Sequence, residues 1–177
     1  MIYYDYEEVL LKVDRMVDYG KYVLAKRLLE EVLEKEPGFG PAHFRLGWIY
    51  WARLDYFGKA EEHFKLALKF APEYPLTYYS YACMLNDMNH VVKLRSVVQN
   101  GIKVRGVSRF FLHNVLGKSH EKNSRFEEAH DHYQMAFKYA FMTWQTDEVS
   151  MNLKRVREKL KRFEPSNSEK TLSEEQK

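Results

Sequence analysis

The chain repeats itself at a fixed distance. FGKAEEHFKLALKFAP, residues 57–72, returns 69 residues later as FEEAHDHYQMAFKYAF, residues 126–141. With Ala60 and Ala129 in register, Ala25 falls 35 residues before the first and Leu94 lies between the two, so the steps are 35, 34 and 35. A period of this length constrains the fold more than any other feature, because one period is one supersecondary unit that must bury a face against the next. Around each anchor the apolar residues recur at helical spacing, and a second amphipathic stretch precedes it. Each period is therefore expected to be a helix–turn–helix. Pro37 and Pro72 should end the second helices of the first two units, since proline lacks the N–H and its ring clashes with the preceding turn. Gly106 is expected to end the third as a C-terminal glycine.

Leucine–glycine pairs, Leu46–Gly47 and Leu116–Gly117, precede two of the anchors, and Tyr81–Ala82 takes their place in the third unit. Small residues there let the two helices of a hairpin approach closely, and Phe64 and Tyr133, each four residues past its alanine, fill the space beside them. This pattern resembles the tetratricopeptide repeat, a unit of about 34 residues. The resemblance runs from Tyr6 to Phe141 as four units of about 6–39, 40–74, 75–109 and 110–143. Unit one has Lys12–Val13 for the leucine–glycine pair, and unit three has Leu94, Val98 and Gly101 at three signature places. It implies an all-α, right-handed superhelix of four hairpins. Residues 1–163 are expected to form the array, closed by a capping helix over about 146–163, and 164–177 to form a disordered tail with one large aliphatic, Leu172.

Composition removes several functions. A single cysteine, Cys83, allows neither an intrachain disulfide nor a thiolate-rich zinc site. Net charge is +3, too mild to argue for nucleic acid. No apolar run approaches the length of a membrane span, and the opening MIYYDYEEVL meets an acid at Asp5 where a secretory signal would be basic, so a cytoplasmic protein is expected. Of the seven histidines, His130 and His132 point apart on a helix, while His113 and His120 roughly share a face, and the resemblance places His120 where the repeat has a core tyrosine. No HExxH, G-x-S-x-G or glycine-rich phosphate loop occurs, and Cys83 sits mid-helix. We therefore expect no catalytic residue, no cofactor and no bound metal.

In proteins of the family that this chain resembles, the first helices of successive units line a concave groove. Carried over, that implies an inner wall of Glu7, Leu10, Asp14 and Val17, then Phe44, Arg45, Trp48 and Trp51, then Leu76, Tyr79, Cys83 and Asn86, then Phe111, Asn114, Val115, Lys118 and Lys122. Of these, Phe44, Arg45, Trp48, Trp51, Tyr79, Asn86, Phe111, Asn114 and Lys118 are the expected partner-binding residues. Periodicity supports part of this independently. Residues 44, 48 and 51 fall within about 60° of one another, and the cluster of Leu46, Gly47 and Tyr50 is centred more than about 90° away, so one helix carries two apolar faces. Whether Trp48 and Trp51 face a groove or a neighbouring unit stays open at this level. The lysine, asparagine and arginine clamp that some members use for a terminal carboxylate is missing, since its places hold Leu10, Asp14, Arg45 or Ser80, and Phe111 or Val115.

The expected function is a non-catalytic protein- or peptide-binding adaptor for a hydrophobic or mixed segment, with the oligomeric state left unspecified. Two alternatives are a chaperone-like holder of a secreted client, and an RNA- or acidic-partner surface on the last helix. There Val149, Leu153, Val156, Leu160 and Phe163 form a stripe, and Lys154, Arg155, Arg157, Lys159, Lys161 and Arg162 lie outside it.

Overall fold

The computed structural model describes residues 5–163, and among these all regular structure is helical. The order is α1 (Tyr6–Asp18), α2 (Tyr22–Lys35), α3 (Gly40–Leu54), α4 (Phe57–Phe70), α5 (Pro75–Asp87), α6 (Val91–Gly101), α7 (Arg109–Lys122), α8 (Phe126–Tyr139) and α9 (Thr143–Phe163). The predicted tail, 164–177, lies outside the described residues. The chain divides into two compact units, Met1–Val107 and Ser108–Lys177.

In the first unit each helix packs on the next, from α1 to α6, and α3 also meets α5. Local chemistry sets the helix ends. The Asp5 carboxylate accepts from the Glu7 and Glu8 amides and caps α1, as an N-cap acid does for otherwise unpartnered donors. Pro41 and Pro75 sit in the first turns of α3 and α5, where no amide donor is needed. Pro37 and Pro72 lie two residues beyond the last residues of α2 and α4. Gly106 does not end α6, which stops at Gly101. Turn bonds from Ile102 to Val98 and from Val104 to Gly101 follow. Gly106 lies in the ensuing loop with φ +83°, a conformation that favours glycine.

The repeat signature becomes the core. A Cβ on Gly47 would stand 2.9 Å from the Phe64 ring, so only glycine admits the two helices at this distance. Phe64 in turn stacks on Tyr81 with centroids 5.5 Å apart. Leu94, Val98 and Gly101, the substitutions that set unit three apart, are all buried and fill the space that alanine and an aromatic occupy elsewhere.

The second unit repeats the device. A Cβ on Gly117 would stand 2.7 Å from the Tyr133 ring. Phe110, Ala129, Tyr133 and Ala136 form one core with Val149, Leu153 and Val156 of α9, and Leu160 is packed at its edge. Helix α9 begins at Thr143, three residues before the expected 146, because the Gln145 side chain accepts from the Phe141 and Met142 amides and stabilises an earlier start. A polar network fastens its flank. Glu121 of α7 receives Arg155 at 2.7 Å, Lys159 at 2.8 Å and the Tyr133 hydroxyl at 2.8 Å.

Candidate functional site

Helices α1, α3 and α5 of the first unit enclose an open groove of about 400 Å³. Phe44, Trp48 and Ile49 of α3 form its floor, Val17 and Leu76 its apolar walls, and Asp14, Asp18, Arg45 and Ser80 its polar rim. Phe44 is 9% exposed and braced edge-on by Tyr74, with centroids 5.4 Å apart, so the floor is preformed. Trp48 is half-buried, and the Arg53 guanidinium lies 5.0 Å from its ring centre. Arg45 is fixed by a two-pronged pair with Asp14, Nε to Oδ1 at 2.8 Å and a terminal nitrogen to Oδ2 at 2.7 Å. Burial disfavours its charge, but the bonds to Asp14 more than offset this and raise its pKa. Asp18 is exposed and has no ion pair among the described residues.

The other expected binding residues lie elsewhere. Trp51 is half-buried but absent from the groove lining. Its Nε1 donates to Asp87 at 3.1 Å, and its ring meets the edge of Phe64. The Tyr79 hydroxyl donates to the Gly106 carbonyl at 3.2 Å, and Asn86 is half-buried on α5 outside the groove. In the second unit Phe111 packs against the core, and Asn114 is 4% exposed. Asn114 donates to Glu148 at 2.9 Å and accepts from Asn152 at 3.1 Å, while Lys118 pairs with Glu148 at 2.7 Å. These two polar residues hold α9 in place. Sequence reasoning missed Asp18 and Ile49 as groove residues; Asp18 was within reach, being one helical turn after Asp14 on the same face.

The histidines form two ring columns at matching repeat positions. In the first unit Phe70, His43, His63 and Tyr50 follow one another in order, His43 and His63 tilted by 35° with their Nδ1 atoms 3.0 Å apart and the outer pairs stacked. In the second Tyr139, His113, His132 and His120 stack in order, with the Nδ1 atoms of His113 and His132 3.2 Å apart. The His43 Nε2 lies 3.0 Å from the Pro37 carbonyl, which can only accept. In the neutral ring Nδ1 then accepts, and His63 supplies the shared proton. Burial, then the neighbouring His43, pushes the His63 pKa down to about 4. Burial and Arg109 lower that of His113. These ring columns are packing groups of the core. Among the described residues no group of three or more His, Cys, Asp or Glu side chains could hold a metal ion, and no helix is long and apolar enough to cross a membrane.

No family model and no curated protein matches the sequence. Solved structures do match. PilF of Pseudomonas aeruginosa superposes with a TM-score of 0.75 at 14% identity, over 88% of this chain and 69% of that one. PilW, a type IV pilus biogenesis factor, gives 0.66 at 17% identity, over 75% and 60%. MamA from Desulfovibrio magneticus RS-1 gives 0.65 at 16% identity, over 90% and 97%. These are tetratricopeptide-repeat proteins, and the fold of this chain is the tetratricopeptide-repeat fold.

Proposed function

We propose that the chain is a non-catalytic, cytoplasmic protein-interaction scaffold of four repeats and a cap. Its first-unit groove receives an extended peptide segment that inserts an apolar side chain. The observation that carries this reading is the preformed apolar floor beside a half-exposed tryptophan. A helix that only packed on its neighbours would bury one stripe, whereas α3 turns a second apolar face to an open groove. The function is surface presentation, with no bond made or broken. The Arg45–Asp14 pair holds the rim without offering a free cation to a terminal carboxylate, which favours a hydrophobic or mixed internal segment.

The experiment is selection from a random peptide library displayed on phage, followed by titration of the enriched peptides. Trp48→Ala should melt like the parent yet lose about 2 kcal/mol or more of affinity, the scale of a buried aromatic anchor. Trp51→Ala should lower the melting midpoint and leave affinity nearly intact, since Trp51 is tied to Asp87 and Phe64. Peptides that bind Trp48→Ala as tightly as the parent would overturn this assignment of the groove.

A further inference from the structure

The cations of α9 fall into two sets. Arg155 and Lys159 are held by Glu121. Lys154, Arg157 and Lys161 line a separate groove of about 620 Å³ between α8 and α9. None of these three has a carboxylate in ion-pair range among the described residues, and Arg157 makes only a 3.3 Å contact with the ring of His130. The lining holds one acid, Glu158, so three cations against one carboxylate leave +2. Phe137, 47% exposed, and Leu153 supply an apolar floor.

We propose that this groove docks an acidic amphipathic helix of a partner protein, with an apolar side chain on Phe137 and Leu153 and carboxylates on Lys154, Arg157 and Lys161. The cations step by three and four residues along one helical face, so they span about 10 Å. Carboxylates at the same spacing on a facing helix match that span, and an apolar stripe beside them meets the floor. Charge complementarity selects an acidic occupant. An apolar stripe buries Leu153 together with Phe137, whereas a base stacks on Phe137 alone, so the floor favours polypeptide over nucleic acid. This surface is independent of the first-unit groove.

Fluorescence anisotropy on the full chain tests the proposal. The probes are a synthetic helical peptide with glutamates at three- and four-residue spacing beside a leucine–phenylalanine stripe, a scrambled peptide of equal composition, and oligouridylate. The ordered peptide should bind more tightly than the scramble and weaken as salt rises. Phe137→Ser, and separately Lys154→Gln with Arg157→Gln and Lys161→Gln, should each weaken it by about tenfold, or about 1.4 kcal/mol. Trp48→Ala should leave it unchanged. Lys154→Glu, at an exposed site, should weaken the peptide further and gives a readout that does not depend on folding.

Three results would overturn the proposal. Equal binding of the scramble would remove the amphipathic requirement. Oligouridylate binding as tight as that of the ordered peptide would make the face a nucleic-acid surface. Peptide binding that emerges only in a chain ending at Phe163 would assign the groove to residues 164–177 in cis.

Discussion

Two glycines decide how closely the helices of a hairpin approach. At Gly47 and Gly117 a methyl group would overlap the rings of Phe64 and Tyr133, and both rings are fully buried among other core side chains. Neither can move aside. Gly117→Ala should therefore destabilise the protein by about 1–3 kcal/mol, the usual cost of overpacking. Gly58→Ala is the control, because nothing lies within 4 Å of its Cβ. That change should be neutral or stabilise by about 0.5 kcal/mol through the unfolded state. Urea unfolding of the pair reads both signs. Histidine makes a second residue-scale prediction. His63 has a folded pKa of about 4 against 6.5 for the free side chain, owing to burial and His43. A depressed pKa means that the contribution is complete above pH 6.5 and is lost as pH falls toward 4. The thermal midpoint should decline across that window, and His63→Gln should flatten the decline.

At the scale of elements, α9 is held by two different kinds of interaction. Val149, Leu153 and Val156 cover the apolar face of α8, while Glu121 gathers Arg155, Lys159 and Tyr133 on the flank. The pKa of Glu121 is lowered to about 2, first by its bonds to Arg155, against burial, and further by Lys159 and Tyr133. Its contribution is therefore present above about pH 4.5 and lost as pH falls toward 2, a window that lies mostly below that of His63. Glu121→Gln removes the charge without removing the side chain. Amides of α9 should then exchange faster at neutral pH, and the acid dependence below pH 4.5 should shrink. Unchanged exchange in α9 would mean that the apolar stripe alone secures the helix.

For the molecule as a whole, the consequence of repetition is locality. Within each compact unit the helices meet their sequence neighbours, and each unit has its own buried residues. Stability in such arrays is close to a sum of unit and nearest-neighbour terms. A Gly117→Ala chain followed by amide hydrogen exchange should lose protection in α7, α8 and α9, with α1 to α5 near parental values. Uniform loss across all helices would show a single cooperative block instead.

What the sequence determined is whatever recurs: the 34- to 35-residue period, the helices it encodes, and the glycine–aromatic contacts at Gly47 with Phe64 and Gly117 with Tyr133. These were legible because repetition writes the same packing requirement more than once, and helical spacing reports the faces. The tertiary structure decided what happens only once. Trp48 and Trp51 lie within about 60° on one helix, so periodicity treats them alike. Asp87, 36 residues further on, pins the second and leaves the first in the groove. Asn114 and Lys118 occupy groove positions by register, yet Glu148 and Asn152 of α9 engage them. Gly106 carried the residue type of a helix end, but turn bonds had already closed α6 at Gly101. Pairings that join residues about 30 or more positions apart, and occur a single time, leave no period in the chain. They depend on which side chains the packed helices bring within hydrogen-bonding distance.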